Sequence, residues 1–164
     1  MRARSLVTVL VVVLAMASFA LAQQLTDGGI YRWNNGNWMQ MEGFGARISV
    51  GPDGAPWIVN AKNEIYRWTN GRFNKTPGTA LDIGVGGDGR AWIIGTDNQV
   101  YRLNGSEWMR MEGTGERIAA GANGSAWVVN RGNEIFQWVN GGFQRQPGTA
   151  MDIAANTGGQ VWII

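Results

Sequence analysis

One tetrapeptide and its relatives recur at a fixed step of 35 residues: "IYRW" at 30 and at 65, "VYRL" at 100, "IFQW" at 135. Trp57, Trp92, Trp127 and Trp162 keep the same step, as do Ile48, Ile83, Ile118 and Ile153, and Gly43, Gly78, Gly113 and Gly148. No gap is needed to hold that frame. A period of this length marks an architecture of small supersecondary units, each of which buries its apolar face only by stacking on neighbours. A coarser period is nested in it. "WMQMEG" (38–43) returns as "WMRMEG" (108–113), and "FNKTPG" (73–78) returns as "FQRQPG" (143–148), so two unlike units have been copied as a pair.

The local signal inside a unit is β, because short runs rich in Ile, Val, Trp and Tyr are separated by glycine turns and no stretch holds a helical period. In the second copy the runs are "RISVG" (47–51), "PWIVN" (56–60), "EIYRW" (64–68) and "RFNKTP" (72–77). "PDG" joins the first two and "TNG" the last two; Asp-Gly and Asn-Gly accept positive φ, so both connections read as tight hairpins. The fold class expected is all-β: a β-propeller of four-stranded antiparallel blades.

A solenoid is the competing repeat architecture, but it needs polar end caps that neither terminus carries. The chain instead opens on strands of the third and fourth type and finishes on strands of the first and second type. Joined, the two halves would make one composite blade and close a four-bladed ring with no free sheet edge. The residue before the series isoleucine alternates Arg47, Asp82, Arg117, Asp152. First strands line a propeller's axis, so this predicts cations and anions alternating around the channel as hydrogen-bonded pairs.

The N-terminus stands apart from the repeat. Arg2 and Arg4 precede an apolar run from Leu6 to Leu21 that finishes in Ala20-Leu21-Ala22, the form of a secretory signal peptide cleaved before Gln23. The expected domains are therefore a signal at 1–22 and the propeller at 23–164, a mature chain of 164 − 22 = 142 residues without a membrane span. The expected location is extracellular or periplasmic. Removing the two arginines takes the net charge from +2 to +2 − 2 = 0, so the basic isoelectric point is no argument for nucleic acid. Cysteine and histidine are both absent, which removes disulfides, most zinc sites and the usual neutral-pH acid–base catalyst.

"ARISVGPDGAPWIVNAKNEIYRWTNGRFNKTPG" and its three relatives resemble the tectonin β-propeller repeat in the glycine-rich first hairpin, the second-strand Trp, the "IYRW" third strand and the closing "PG" or "EG". The resemblance implies a secreted or surface-active lectin, like the horseshoe-crab and fish-egg lectins and a fungal tectonin that bind bacterial or methylated glycans. Several members have six blades. Material for four leaves three arrangements: a four-bladed ring, part of a larger six-bladed propeller, or an open array completed by another chain. The complementary half-blades favour the first.

Sugar recognition needs flat apolar surface beside planar polar groups that bond hydroxyls in pairs. Trp57, Trp92, Trp127 and Trp162, mid-strand among Ile and Val, read as packing between blades. The more variable outer-strand residues Trp33, Trp68, Trp138, Trp38 and Trp108 read as a sugar cleft, with Arg32, Arg67 and Arg102 on the opposite strand face and Asn60 and Asn130 at the ends of second strands. Repetition of shallow clefts would give avidity on a glycan-coated surface such as bacterial polysaccharide or lipopolysaccharide. Glu42, Glu112, Asp82 and Asp152 all belong to repeated positions, whereas catalysis needs unlike groups converging once, so no enzyme, cofactor or metal is expected. A non-catalytic protein-interaction scaffold is the alternative, with Met39, Met41, Met109 and Met111 as adaptable apolar surface. Asn74, Asn104 and Asn123 begin Asn-x-Ser/Thr triplets, relevant where the source glycosylates.

Overall fold

A computed structural model describes residues 26–164, and every regular element in that span is a strand. The expected signal segment, residues 1–22, lies outside the described residues. Turn chemistry sets the local plan. Asn70-Gly71 and Asn140-Gly141 both hold positive φ at the two central positions, the geometry that lets a two-residue loop match the right-handed twist of its strands.

Three four-stranded antiparallel blades result. The first contains β3 (Arg47–Val50), β4 (Pro56–Val59), β5 (Glu64–Thr69) and the start of β6 (Arg72–Val85). The second contains the end of β6, then β7 (Ala91–Gly95), β8 (Gln99–Asn104) and β9 (Glu107–Thr114). The third contains β10 (Arg117–Ala120), β11 (Ala126–Val129), β12 (Glu134–Val139) and β13 (Gly142–Thr149). Two-stranded half-blades flank them: β1 (Gly28–Asn34) with β2 (Asn37–Gly45), and β14 (Ile153–Ala155) with β15 (Val161–Ile163).

The register recurs from blade to blade. Trp57 lies opposite Arg67, Trp92 opposite Arg102, and Trp127 opposite Gln137. Strand β6 is longer than its sequence run predicts because it passes through a bulge at Pro77-Gly78, where Glu64 pairs with Thr79 but Ile65 with Thr76. Gly78 sits there at φ +91, which bends the strand out of one blade and into the next.

The core is a series of slabs between blades rather than one centre. Trp57, Ile65, Ile83 and Ile93 fill the first slab under Leu103 and Trp108 of the following blade. Trp92, Val100, Ile118 and Val128 fill the second under Trp138 and Phe143. Trp92 is 1% exposed and its Nε1 donates to Gly124 O at 3.0 Å; burying such an indole stabilises by about 4–6 kcal/mol by area.

The expected closure within one chain is not present. Among the described residues β1 pairs only with β2 and β15 only with β14, so the composite fourth blade is not formed and the blades sweep an open half-ring. Three complete blades separate the two half-blades, and their sweep does not bring β1 beside β15. It also corrects the uniform reading of the tryptophan series: Trp57 is 2% exposed, but Trp162, with no blade beyond it, is 71% exposed.

The alternating charges do meet at the axis, but as ion pairs beyond hydrogen-bond distance rather than the hydrogen-bonded pairs expected, and Arg47 Nε is buried without a hydrogen-bond partner among the described residues. Arg47 Nε lies 3.8 Å from Asp82 Oδ1 and Arg117 Nε 3.8 Å from Asp152 Oδ1, and all four residues line one cavity of about 260 Å³. Asp82 is buried, accepts the N–H groups of Ile83 and Ile118 at 2.9 Å each, and is pushed up to about 6 by burial against the pull of those donors and of Arg47 and Arg117.

Candidate functional site: clefts between blades

Two clefts open between successive blades, and they are built from matching positions. In the cleft of about 300 Å³ between the first and second blades, Gly78 and Thr79 face Ile93, Tyr101 and Trp108. In the cleft of about 310 Å³ between the second and third blades, Gly113 and Thr114 face Val128, Phe136 and Phe143. The bulge glycine is what admits the aromatic wall: a Cβ on Gly78 would meet Trp108 Cδ1 at 3.0 Å, and one on Gly113 would meet Phe143 Cδ2 at 3.1 Å. Trp108 also donates its Nε1 to Pro77 O at 2.8 Å, which pins the indole across the blade boundary.

A polar cluster stands beside each aromatic wall, at the loop between the second and third strands. Asn130 Oδ1 accepts the N–H groups of Gly132 and Glu134 at 2.9 Å each, shaping the loop, while its Nδ2 donates to Glu134 Oε2 at 3.0 Å. Arg145 reaches Glu134 Oε1 at 3.0 Å. In the other cleft Tyr101 OH donates to Asp97 Oδ2 at 2.7 Å; outside its lining, on the same pair of strands, Arg110 donates to Gln99 Oε1 at 2.6 Å. The first blade carries the fullest version: Lys75 Nζ is 2.6 Å from Glu64 Oε1, and Asn60 and Tyr66 donate to Glu64 Oε2 at 2.8 and 3.0 Å.

These bonds favour the ionised carboxylates. Lys75, then Asn60 and Tyr66, hold the Glu64 carboxyl down to about 2. Asn130 and then Arg145 lower Glu134, and the Tyr101 hydroxyl lowers Asp97. Each cluster thus presents a fixed acceptor and a planar or cationic donor beside an aromatic face, the equipment for a polyhydroxylated ligand.

The residues singled out from sequence separate into distinct environments. The five tryptophans do not share one cleft. Trp33 and Trp38 form an exposed T-shaped pair at 5.2 Å on the first half-blade, and Trp68 pairs with Phe73 at 5.0 Å. Trp138 packs on Trp92 at 5.6 Å, and Trp108 meets Trp57 at 6.4 Å. Arg67 and Arg102 lie over the rings of Trp57 and Trp92 at 5.1 and 5.4 Å, with Arg67 also bonded to Asp53 at 3.1 Å. Arg32 is exposed. Asn60 and Asn130 organise their own loops, and Asn130 also lines a cleft.

Sequence reading passed over the series that supplies the cleft residues Tyr101 and Phe136, with Tyr66 as its first-blade equivalent, and the polar series beside it, Glu64, Gln99 and Glu134 with Lys75, Arg110 and Arg145. The signal was present, since each series keeps the 35-residue step.

The tectonin domain matches residues 25–95 and again residues 80–164. The chain belongs to the tectonin family. Tectonin-2 of Physarum polycephalum is 50% identical over 36 residues, a match that spans 22% of this tectonin chain and 10% of that protein. Among solved structures, the WD40 β-propeller domain of Doa1 superimposes with a TM-score of 0.60 at 16% identity, covering 80% of this chain and 52% of that one. YCF48, solved bound to a D1 peptide, superimposes at 0.56 with 18% identity, covering 85% of this chain and 55% of its own. The likeness is one of fold: this tectonin corresponds to about half of each propeller.

Proposed function

We propose that this tectonin is a secreted, multivalent carbohydrate-binding protein whose inter-blade clefts take surface glycans. The observation that carries the reading is the recurrence of one cleft wall at matching positions, Trp108 or Phe143 with Tyr101 or Phe136. Each wall stands beside a carboxylate that the repeat supplies from a different position, Asp97 in one cleft and Glu134, bonded to the lining Asn130, at the other. Apolar ring area stacks on a sugar face, and the carboxylates and their amide or guanidinium partners bond vicinal hydroxyls. Each cleft is shallow, so single-site affinity is low and function comes from several clefts engaging a dense glycan at high effective concentration. No catalysis is proposed. Secretion rests on the sequence of residues 1–22 and places the clefts where polysaccharide or lipopolysaccharide is displayed.

A glycan array printed at graded density tests this. Binding should rise steeply with density and be competed by free polysaccharide. Absence of binding to every densely printed polysaccharide and lipopolysaccharide rejects it, and a protein ligand insensitive to sugars would put an interaction scaffold in its place.

A further inference from the structure

Among the described residues the outer edges of β1 and β15 have no paired strand and are complementary to each other, and we infer that a second copy of the chain docks there, β15 of one copy pairing antiparallel with β1 of the other so that two half-rings close one propeller. An open strand edge is a template for another strand unless something covers it. Here both edges carry apolar side chains that complete blades would bury.

The register follows from the complete blades. Trp57 lies opposite Arg67 and Ile58 opposite Tyr66; Trp92 lies opposite Arg102 and Ile93 opposite Tyr101. At the same step of 35, Trp162 lies opposite Arg32 of the second copy, and Ile163 opposite its Tyr31. Arg32 then lies over the Trp162 ring, as Arg67 and Arg102 lie over Trp57 and Trp92.

Packing across the seam fits the same frame. Leu103 and Trp108 cover Trp57, and Trp138 and Phe143 cover Trp92. Trp127, the next of that series, is only partly buried, and the exposed Trp33 and Trp38 pair of a second copy is the cover it lacks. Trp162 in turn meets the Trp68 and Phe73 pair.

Charge agrees at the axis. Asp82 bridges to the next blade by accepting the N–H of Ile118, with its side chain 10% exposed. Asp152 accepts from Ile153 at 2.9 Å but has no second backbone donor among the described residues, and its side chain is 56% exposed. Across the seam it meets Arg47 and Ile48 of the second copy, where Ile48 is 58% exposed although Ile83 and Ile118 are 4%.

The gap is also the right size, since 80% of this chain occupies 52% of a propeller domain. A head-to-tail contact of this kind forms a ring when the rotation closes. The seam would add a cleft of the proposed sugar-binding kind from Gly148, Thr149 and Ile163 of one copy and Tyr31 and Trp38 of the other. This added cleft rests on the carbohydrate reading; the dimer does not.

Two measurements decide the matter without any sugar. Native mass spectrometry and light scattering of the parent protein at micromolar concentration should give twice the mass of one chain; a single-chain mass or an open ladder of larger species overturns the inference. The chain has no cysteine, so Arg32→Cys with Trp162→Cys introduces one defined pair. Residues opposite each other in an antiparallel pair lie within disulfide reach. Oxidation should give a covalent two-chain species, and mixing the two single variants should do the same. A disulfide within one chain, or none in protein that folds like the parent, rejects the second copy.

Discussion

Asp82 Oδ2 accepts the backbone N–H of Ile118, 36 residues away in the next blade, at 2.9 Å. A carboxylate that ties two blades together this way is buried, and burial raises its pKa from 3.8 to about 6. Between those values the folded chain keeps a proton that the unfolded chain has released. The contribution of Asp82 to stability therefore falls as pH rises from about 4 to about 6 and is flat above, a change of roughly 3 kcal/mol. Urea unfolding of the parent and of Asp82→Asn across pH 4–7 should give a difference that varies in this window and is constant beyond it. Glu64 and Glu134, whose lowered pKa values act in the opposite sense at lower pH, are common to both proteins and cancel in the comparison.

Trp92 is the most demanding test of the slab packing. It touches Trp138 and Phe143 of the following blade and donates to Gly124 O. Trp92→Ala should cost about 3–5 kcal/mol from lost burial and the cavity left behind. Trp92→Phe keeps much of the ring but strands a buried carbonyl, and should cost about 1–3 kcal/mol. Denaturant midpoints at constant slope check both; a Trp92→Phe midpoint equal to the parent's would mean that the hydrogen bond contributes nothing.

Gly78 combines a left-handed backbone with the close approach of Trp108. Gly78→Ala should lose about 1–3 kcal/mol through strain at positive φ, with the indole forced to shift. The same change at Gly71, also at positive φ but with nothing within 4 Å of an added Cβ, isolates the backbone part. Thermal melts of the two variants should separate, with Gly78→Ala the lower, and the tryptophan fluorescence of that variant alone should move.

Most of the blade plan was legible because hairpin chemistry is local: Asn-Gly and Asp-Gly positions fixed which runs pair, and the fixed step carried the register from unit to unit. Closure was not legible. Complementary halves at the two ends say that a composite blade is possible, but whether one chain bends far enough depends on how each blade turns on the last, a tertiary quantity. The cleft was partly legible for a related reason. Tryptophan drew attention by size, yet of the five only Trp108 lines a cleft described above while Trp138 is held in packing, and the polar clusters came from residues such as Asn130 and Glu134 that meet only once the loop between second and third strands has formed.

The clefts make a prediction in which binding and stability part company. Tyr101→Phe keeps the aromatic wall but removes the hydroxyl that orients Asp97, and Glu134→Gln keeps the shape of its cluster but removes the charge that Arg145 meets. Both groups are at the surface, so unfolding midpoints should scarcely move. Loss of one charge-assisted contact per cleft should weaken glycan binding about tenfold, and more on dense surfaces where several clefts act together. Asp97 and Glu134 are held below the ordinary carboxylate range, so parent binding should stay level as pH falls from 7 to about 4.5 and decline only below it. Titration of a densely coated glycan surface by interferometry at stepped pH reads both effects, and a parent profile that falls already near neutral pH would remove these carboxylates from the site.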